Sequence, residues 1–289
     1  MSKPVIRPIT RSDVDAVVAL LHKEHMANLP VDRVRSIVLH DWPVARPNYG
    51  YLLEADDRVV GCILAAYSER QIRGRAERFC NIGTWYVEPA FRNYSLPLSW
   101  KFRELWGEYT MTALTANETS RAGFQRANYR PLAEEYHLYL PGQRASHTRL
   151  TGARVVGGAD VIERELDPVD RQILRDHRPY GLGHFLLTAR GEPGYAYVVT
   201  RRSRIWRREL VPATEVLYVS NKALARRYFE RLMLGILLRD RSLVFASERR
   251  FFGEDAPVGR RVVPRLRFYR SNTLEAADID NLYSEAVLL

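Results

Sequence analysis

The chain has 289 residues, 46% hydrophobic and 27% charged, a balance typical of a globular protein and a length sufficient for two domains. No run of 18 apolar residues and no N-terminal apolar signal core occurs, so we expect a cytoplasmic protein without a membrane span. The formal net charge is +10, and only four of the 44 basic residues are lysines, which favours anionic partners but is also typical of GC-rich bacterial genomes.

The first elements along the chain follow simple periodicities. Residues 5–8 predict a short strand, and Ser12 with Asp15 three residues later predicts the start of a helix. Valines and leucines at helical spacing then mark one apolar face of that helix: Val14, Val17, Val18 and Leu21. Residues 49–54 and 59–66 predict two strands joined by a turn at Asp56-Asp57.

The most informative segment is Thr84-Trp-Tyr-Val-Glu-Pro-Ala-Phe-Arg-Asn-Tyr-Ser-Leu-Pro-Leu98. It predicts a strand over residues 85–87, a tight turn, a polar loop over residues 92–95, and a helix from Leu96 to Tyr109. The first N–H groups of a helix lack intrahelical partners and carry partial positive charge. A polar loop that leads into such a helix therefore predicts an anion-binding site.

This segment resembles the acyl-CoA signature of the GNAT superfamily of N-acetyltransferases, approximately Val-x-Pro-x-Tyr/Phe-Arg/Gln-x-x-Gly-x-Gly/Ala-x-x-Leu. Val87, Pro89, Phe91 and Arg92 occupy matching positions, whereas Ser95 and Pro97 stand where the family has glycines. The resemblance implies that acetyl-CoA or another acyl-CoA binds with its pyrophosphate on this loop. The implied cofactor-binding residues are Val87, Arg92, Asn93, Tyr94, Ser95, Leu96, Asn117 and Phe124.

The order of the flanking elements also resembles the family. A predicted strand over residues 111–114 precedes Asn117, and Tyr129-Arg130-Pro131-Leu132 resembles the element that begins the family's last strand, here residues 136–140. The resemblance covers about residues 3–140. It implies an α/β fold in which a mixed, mostly antiparallel sheet is flanked by helices.

The second half repeats the layout of the first. Residues 185–187 and 194–197 match the earlier hairpin strands, and Leu217-Tyr-Val219 matches residues 85–87 about 132 positions later. This indicates two tandem GNAT-like domains, residues 1–143 and 156–289, with a linker near residues 141–158. The second copy lacks the polar loop before its helix, residues 223–238, so we expect one acyl-CoA site, in the first domain.

The resemblance implies direct attack of an acceptor amine on the thioester, which requires a base, an oxyanion donor and an acid. The family's usual base position is Asn81 here, which holds a water but takes no proton, and the usual acid position is Phe124. Glu88 and Tyr86 are the nearby groups that could replace them. The catalytic candidates are thus Asn81, Glu88 and Tyr86, with a small-molecule or sugar-linked amine as acceptor.

Two other functions stay open. The empty base and acid positions suggest a catalytically degenerate CoA-binding or scaffold protein. The arginine-rich segment from Arg201 to Arg208 suggests binding of an anionic polymer, although a nucleic-acid partner is the less favoured expectation. We expect no metal site, because His22 and His25 lack a third ligand, and we interpret Cys62 and Cys80 as buried thiols.

Overall fold

The computed structural model describes residues 3–40, 42–142, 149–205, 210–253 and 255–288. The chain divides into two compact units that are each discontinuous in sequence. Unit 1 comprises Met1–Leu132, Leu266–Glu275 and Tyr283–Leu289, and unit 2 comprises Ala133–Arg265 and Ala276–Leu282.

Within these residues the structure has strands β1 to β12 and α-helices α1 to α9. The strands are β1 Val5–Pro8, β2 Gly50–Ala55, β3 Arg58–Ile72, β4 Arg75–Val87, β5 Thr110–Ala113, β6 Arg130–Tyr139, β7 Ala153–Gly157, β8 Gly183–Ala189, β9 Ala196–Ile205, β10 Val211–Val219, β11 Val244–Ser247 and β12 Arg261–Arg270. The helices are α1 Val14–Glu24, α2 Val31–Leu39, α3 Ser95–Trp100, α4 Glu118–Arg126, α5 Ala159–Ile162, α6 Pro168–His177, α7 Lys222–Arg227, α8 Phe229–Asp240 and α9 Glu285–Leu288. Among the described helices, none has the length and apolar character needed to cross a membrane.

Local chemistry explains the early elements of unit 1. Asp56 and Asp57 both have positive φ, 48° and 59°, and form the predicted two-residue turn between β2 and β3. The predicted helix cap is wrong, because Thr10 rather than Ser12 forms the capping box, with Asp13. A single 3-10 turn then leads into α1, which buries the predicted apolar face.

The sheet of unit 1 has the strand order β1-β2-β3-β4-β5-β12. Neighbouring strands are antiparallel except β4 and β5, which are parallel. One face of the sheet packs against α3 and α4 through a core that includes Tyr67, Cys80, Leu98 and Phe102. The predicted mixed, mostly antiparallel sheet flanked by helices is therefore confirmed for this unit.

The sheet of unit 2 has the strand order β7-β8-β9-β10-β11-β6. Its strands are antiparallel except β10 and β11, which are parallel, so the arrangement of unit 1 recurs. The helix predicted over residues 223–238 is divided at Tyr228 into α7 and α8, and α8 packs into the core of this unit.

The compact units differ from the predicted contiguous domains, residues 1–143 and 156–289. The strand β6 follows α4 in sequence but pairs with β11 of unit 2, and β12 follows β11 in sequence but pairs with β5 of unit 1. The predicted linker also contains β7, the edge strand of unit 2. A sequence pattern predicts the order of strands along the chain, whereas hydrogen bonding decides which strands become neighbours.

Candidate functional site

The parallel strands β4 and β5 of unit 1 separate halfway along β4. They pair at Phe79 with Thr110, Cys80 with Met111 and Asn81 with Thr112, and β4 then continues alone to Val87. Beyond Asn81 the backbone of β4 therefore has no strand partner on this side within the described part of the chain. We call the space between the separating strands the β4–β5 gap.

A β-bulge in β4 lies at the start of this gap. On the β3 side, Ile63 pairs with Trp85 and Ala65 with Ile82, so that Gly83 and Thr84 together oppose Leu64. A bulge leaves backbone groups outside the ladder. The N–H of Thr84 is one such group, and it donates into the gap rather than to β3.

The acceptor of this N–H is Glu285, the first residue of α9 and a member of unit 1. Its Oε1 lies 2.6 Å from the Thr84 nitrogen and also accepts from the Thr84 hydroxyl, while Oε2 accepts from the hydroxyl of Thr115. A Cβ at Gly83 would lie 3.1 Å from the Glu285 carboxyl, closer than ordinary contacts. The side chain of Glu285 thus fills the β4–β5 gap, and glycine at position 83 makes room for it.

Asn81, the predicted catalytic position on β4, lies at the base of the gap with 2% of its surface exposed. Its Nδ2 donates to the carbonyl and hydroxyl oxygens of Thr112 at 3.3 and 3.0 Å. Its Oδ1 accepts from the backbone N–H of Glu285 at 3.0 Å. Asn81 therefore links β5 to α9 in this structure and places its one carbonyl oxygen at the gap.

The charge environment of Glu285 is unusual for a side chain only 5% exposed. Among the described residues no lysine, arginine or histidine forms an ion pair with it, and its partners are one amide and two hydroxyl groups. Buried carboxylates are costly without a compensating cation. Burial and, to a smaller extent, the charge of Glu285 raise the pKa of the neighbouring Cys62 thiol to about 12, so Cys62 is an unreactive core thiol, as expected from the sequence.

A small cavity, with room for about one water, adjoins the gap. Asn81, Gly83 and Glu285 contribute to its wall, and the ring of His40, at the C-terminal end of α2, closes another side. His40 is 4% exposed, and neither ring nitrogen has a hydrogen-bond partner among the described residues, although the backbone of Ile37 and Val38 lies near the ring. Burial, followed by the charge of Arg46, lowers the pKa of His40 to about 4, so its ring is neutral at neutral pH.

The buried ring of His40 gives a testable pH dependence. In the unfolded chain a histidine binds its proton near pH 6.5, whereas folded His40 does so only near pH 4. The stability gained from the neutral ring is complete above pH 6.5 and is lost as the pH falls toward 4, by up to about 1.4 kcal/mol per pH unit. We expect His40→Gln to flatten the fall of unfolding free energy over this range, measured by urea denaturation. The exposed His25 supplies the matched control, and an equal slope in His25→Gln, His40→Gln and the wild type would contradict the assignment.

The polar loop predicted to bind the pyrophosphate is helical. Residues Pro89–Tyr94 form a 3-10 helix that continues directly into α3, and a second 3-10 helix, Lys101–Leu105, follows. The helix predicted from Leu96 to Tyr109 is therefore wrong in length, and Pro97 lies inside the six-residue α3. The backbone N–H of Phe91 donates to the carbonyl of Glu88, and the backbone N–H of Ser95 donates to the carbonyl of Arg92. These two donors are therefore already used.

The side chains of this segment nevertheless face outward. Arg92 and Asn93 are exposed, Tyr94 and Ser95 are partly buried, and Leu96 is 37% exposed. No ion pair or hydrogen bond of the Arg92 side chain is found within the described part of the chain. Arg92 is thus a free cation beside the end of β4, whereas Val87 is buried in the core.

The other two catalytic candidates lie away from the base of the gap. Glu88 forms a two-point ion pair with Arg58, with N–O distances of 2.5 and 2.9 Å. The hydroxyl of Tyr86 lies 3.5 Å from a carboxyl oxygen of Glu24 in α1, and its ring lies beside His25. Glu88 is therefore already paired at the end of β4, and Tyr86 faces α1.

Two residues suggested by the family resemblance have structural roles. Asn117 caps α4, and its side chain accepts from the N–H of Ser120 at 3.0 Å. Phe124 is 6% exposed; its ring stacks on Phe268, with centroids 5.6 Å apart, and meets Tyr129 edge-on, with centroids 5.2 Å apart. Phe124 is therefore part of the core of unit 1.

The equivalent gap in unit 2, between β10 and β11, contains Asn281. The Asn281 N–H donates to the carbonyl of Leu217 at the bulge in β10. Its side chain joins a buried ion pair: Nδ2 donates to Glu248 at 2.9 Å, Oδ1 accepts from Arg250 at 2.6 Å, and Glu248 and Arg250 are 2.7 Å apart. A charge-compensated network thus fills this gap, and the single acyl-CoA site expected from the sequence stays a prediction.

The arginine-rich segment is only partly described. Arg201 on β9 forms an ion pair with the buried Glu215 at 2.8 Å, so its charge is compensated within unit 2. Arg202 and Arg204 are exposed on the same strand. The remaining residues of the predicted cluster, Trp206 to Arg208, lie outside the described residues.

Sequence reasoning missed Glu285 and His40. Glu285 lies about 200 residues from Thr84 and Asn81, and neither a motif nor a periodicity connects it to them. His40 lies just after an amphipathic helix, where a histidine is ordinary. The mutual placement of these residues follows from the return of the chain terminus to unit 1, which the sequence pattern does not predict.

No protein-family model and no curated protein sequence matches the chain. Solved structures do match in fold. A GCN5-related N-acetyltransferase from Anabaena variabilis aligns over 93% of this chain and 72% of its own, with a TM-score of 0.59 and 10% identity. A putative acetyltransferase from Pyrococcus horikoshii aligns over 96% of this chain and 93% of its own length, with a TM-score of 0.52 and 15% identity.

A third similar structure is the N-myristoyltransferase of Saccharomyces cerevisiae with bound myristoyl-CoA. It aligns over 98% of this chain and 85% of its own, with a TM-score of 0.51 and 11% identity. At these identities the similarity establishes the fold and leaves the activity to be argued from the site.

Proposed function

Because the chain has the fold of the GNAT N-acetyltransferases, we propose that it is an acyl-CoA-dependent N-acyltransferase. The acyl-CoA would lie in the β4–β5 gap of unit 1, with its phosphates toward Arg92. The observation that carries this proposal is the separation of β4 from β5 beyond Asn81, together with a bulge that turns the Thr84 N–H into the gap.

The gap offers an oxyanion donor for thioester chemistry. The acceptor nitrogen forms a bond to the acyl carbon, the carbon–sulfur bond breaks, and the amine loses a proton while CoA leaves as the thiol. A backbone N–H directed at the developing oxyanion is the usual means of stabilising such a transition state. Thr84 supplies this donor, and the unpaired edge of β4 would pair with the amides of the pantetheine arm.

Proton transfer is assigned to water rather than to a side chain of β4. Asn81 accepts no proton, but its Oδ1 points into the gap and would hold a water or the acceptor amine once the Glu285 N–H moves away. Glu88 and Tyr86 are secondary candidates, since Glu88 is held by Arg58 and Tyr86 faces α1. We propose an amine of a small-molecule or sugar-linked acceptor, and acetyl-CoA or a longer acyl-CoA as donor.

Calorimetric titration with acetyl-CoA, octanoyl-CoA and free CoA tests the binding part of this proposal. Arg92→Ala should weaken binding by about 1.5–3 kcal/mol, the range for a hydrogen bond to a charged group. Arg154→Ala is the matched control, because Arg154 is an exposed arginine of unit 2 and the net charge changes equally. Equal affinities of the wild type and both variants would contradict the placement of the phosphates beside Arg92.

A specific observation favours a second candidate function, a CoA-binding or scaffold protein without turnover. Glu88 is engaged in an ion pair, Asn81 is bound to Thr112, and Phe124 lies in the core, so no described side chain at the family's positions is free to move a proton. Release of free CoA from acetyl-CoA in the presence of a panel of amines distinguishes the two functions. Amine-dependent release above the uncatalysed rate, reduced in Arg92→Ala, would exclude the scaffold function.

A further inference from the structure

The last described part of the chain contributes to both units in succession. We call residues 276–288 the C-terminal strap. Its first part, Ala276–Leu282, belongs to unit 2, and the part from Tyr283 onward belongs to unit 1. The contacts of these two parts differ in kind, and this difference suggests how the acyl-CoA site is controlled.

The first part of the strap is held by compensated charges. Arg250 donates to the carbonyl of Ile279 and to the side chain of Asn281, and Lys222 donates to the carbonyl of Ala277. Glu248 balances the charge of Arg250 and also accepts from Asn281. A buried ion pair with all of its partners present is costly to break, so this part of the strap is a fixed anchor.

The second part begins at a strained residue. Tyr283 has a φ of 50°, in the left-handed region that a non-glycine residue with a bulky side chain rarely adopts. It directly precedes the segment that enters the β4–β5 gap. A change of φ at this position would relieve the strain.

The contact made by the second part is uncompensated. Glu285 has no cationic partner among the described residues, and its carboxyl depends on the Thr84 N–H and the hydroxyl groups of Thr84 and Thr115. Thr115 is exposed, so water can replace this part of the contact without deep rearrangement. Return of the carboxylate to water also recovers its hydration, which lowers the cost of opening.

We propose that the C-terminal strap is an autoinhibitory plug, in which Glu285 occupies the backbone donor of Thr84 and must leave the β4–β5 gap before acyl-CoA binds. This inference rests on the proposed function, because the competing ligand is the acyl-CoA of the β4–β5 gap. Opening also frees Asn81 Oδ1, which the Glu285 N–H occupies in the closed form. Withdrawal of Glu285 therefore exposes both the Thr84 N–H, which is the proposed oxyanion donor, and Asn81 Oδ1, which would face the acceptor amine.

A plug of this kind lowers the apparent affinity by the fraction of molecules that are open. Removal of the plug side chain should therefore tighten binding without adding any contact to the ligand. For a coupling free energy of ordinary size between opening of the plug and binding of CoA, the affinity for CoA should rise by about fivefold to 100-fold.

The experiment is a calorimetric titration of free CoA into the wild type, Glu285→Ala, Glu285→Gln and Glu275→Ala. Glu275 is an exposed residue of unit 1 that pairs with Arg130, so Glu275→Ala removes the same charge outside the gap. We expect tighter binding in Glu285→Ala, a smaller gain in Glu285→Gln, and wild-type affinity in Glu275→Ala. Tight binding by Glu285→Ala alone would show a plug that is closed in nearly every molecule.

Two outcomes would overturn the plug, and they differ in what they say of the proposed function. Equal CoA affinities of the wild type and Glu285→Ala would contradict the plug but would leave the proposed acyl-CoA site standing. Absence of binding in every variant would overturn the proposed function and the plug together.

Hydrogen exchange gives a second readout that does not depend on the folding of a variant. Saturation of the wild type with CoA should speed exchange of the amides of Ser284–Leu288 while most of unit 1 is unchanged or protected. Slower exchange of these amides in the CoA complex would mean that α9 stays in place, and would overturn the proposal.

Discussion

Glu248→Ala is expected to lower the free energy of unfolding of unit 2 by about 3–5 kcal/mol. The side chain of Glu248 is 1% exposed and that of Arg250 9% exposed, and the two groups are 2.7 Å apart. Loss of the carboxylate removes the negative charge 2.7 Å from the buried guanidinium of Arg250, and it also removes an acceptor of the Asn281 amide. The effect should appear as a lower urea midpoint of unfolding, with unfolding monitored by circular dichroism.

Asp255→Ala is the control for this prediction. Asp255 pairs with Arg226 at 3.1 Å, but its side chain is 87% exposed, and exposed pairs contribute about 0–1 kcal/mol. If Glu248→Ala and Asp255→Ala shift the midpoint equally, the buried network does not stabilise unit 2 in the way described. In that case the strap would also lack the fixed anchor on which the plug depends.

Phe124→Ala is expected to destabilise unit 1 by about 3–5 kcal/mol, the range for deletion of a buried aromatic ring. The ring lies among Phe268, Tyr129 and Trp85, so its removal leaves a cavity bounded by large and rigid side chains. Thermal and urea unfolding measure this loss. The variant separates a core role from the cofactor-binding role that the family resemblance suggested for this position.

Leu96→Ala is the control, and it tests whether the loss of stability in Phe124→Ala is caused by the burial of the Phe124 ring. Leu96 is 37% exposed on α3, and its truncation removes fewer apolar atoms than loss of a phenyl ring, so a change in the free energy of unfolding of no more than about 0.5 kcal/mol is expected. A small effect of Phe124→Ala, or an equal effect of both variants, would contradict the placement of Phe124 in the core.

Much of the local structure was accessible from the sequence because short-range chemistry determines it. The Asp56-Asp57 turn joins β2 and β3 as predicted, since two short polar side chains tolerate the positive φ values that the hairpin requires. The repeated spacing of the hairpin and the following strand predicts a tandem arrangement, and each unit has one parallel strand pair in an otherwise antiparallel set of strands. The helix after Tyr94 was wrong in length, because Trp100 is followed by 3-10 turns that the apolar spacing does not distinguish from an α-helix.

The candidate site was less accessible, because it depends on contacts between distant parts of the chain. The family resemblance places Asn81 at the usual base position, but the sequence does not show that its partners are Thr112 and Glu285. The same holds for β6 and β12, whose strand partners, β11 and β5, lie far from them in sequence. The hydrogen-bonded register pairs residues 268–270 of β12 with β5, and the residues from Tyr283 onward, which also belong to unit 1, carry Glu285 into the β4–β5 gap.

The central claim is that acyl-CoA binds in the β4–β5 gap of unit 1, and a crystal structure with bound CoA tests it most directly. The account predicts the pantetheine arm beside β4, a ligand acceptor on the Thr84 N–H, the phosphates near Arg92, and Glu285 withdrawn from its present position. CoA bound elsewhere on the chain, or CoA bound while Glu285 still accepts from Thr84, would contradict it.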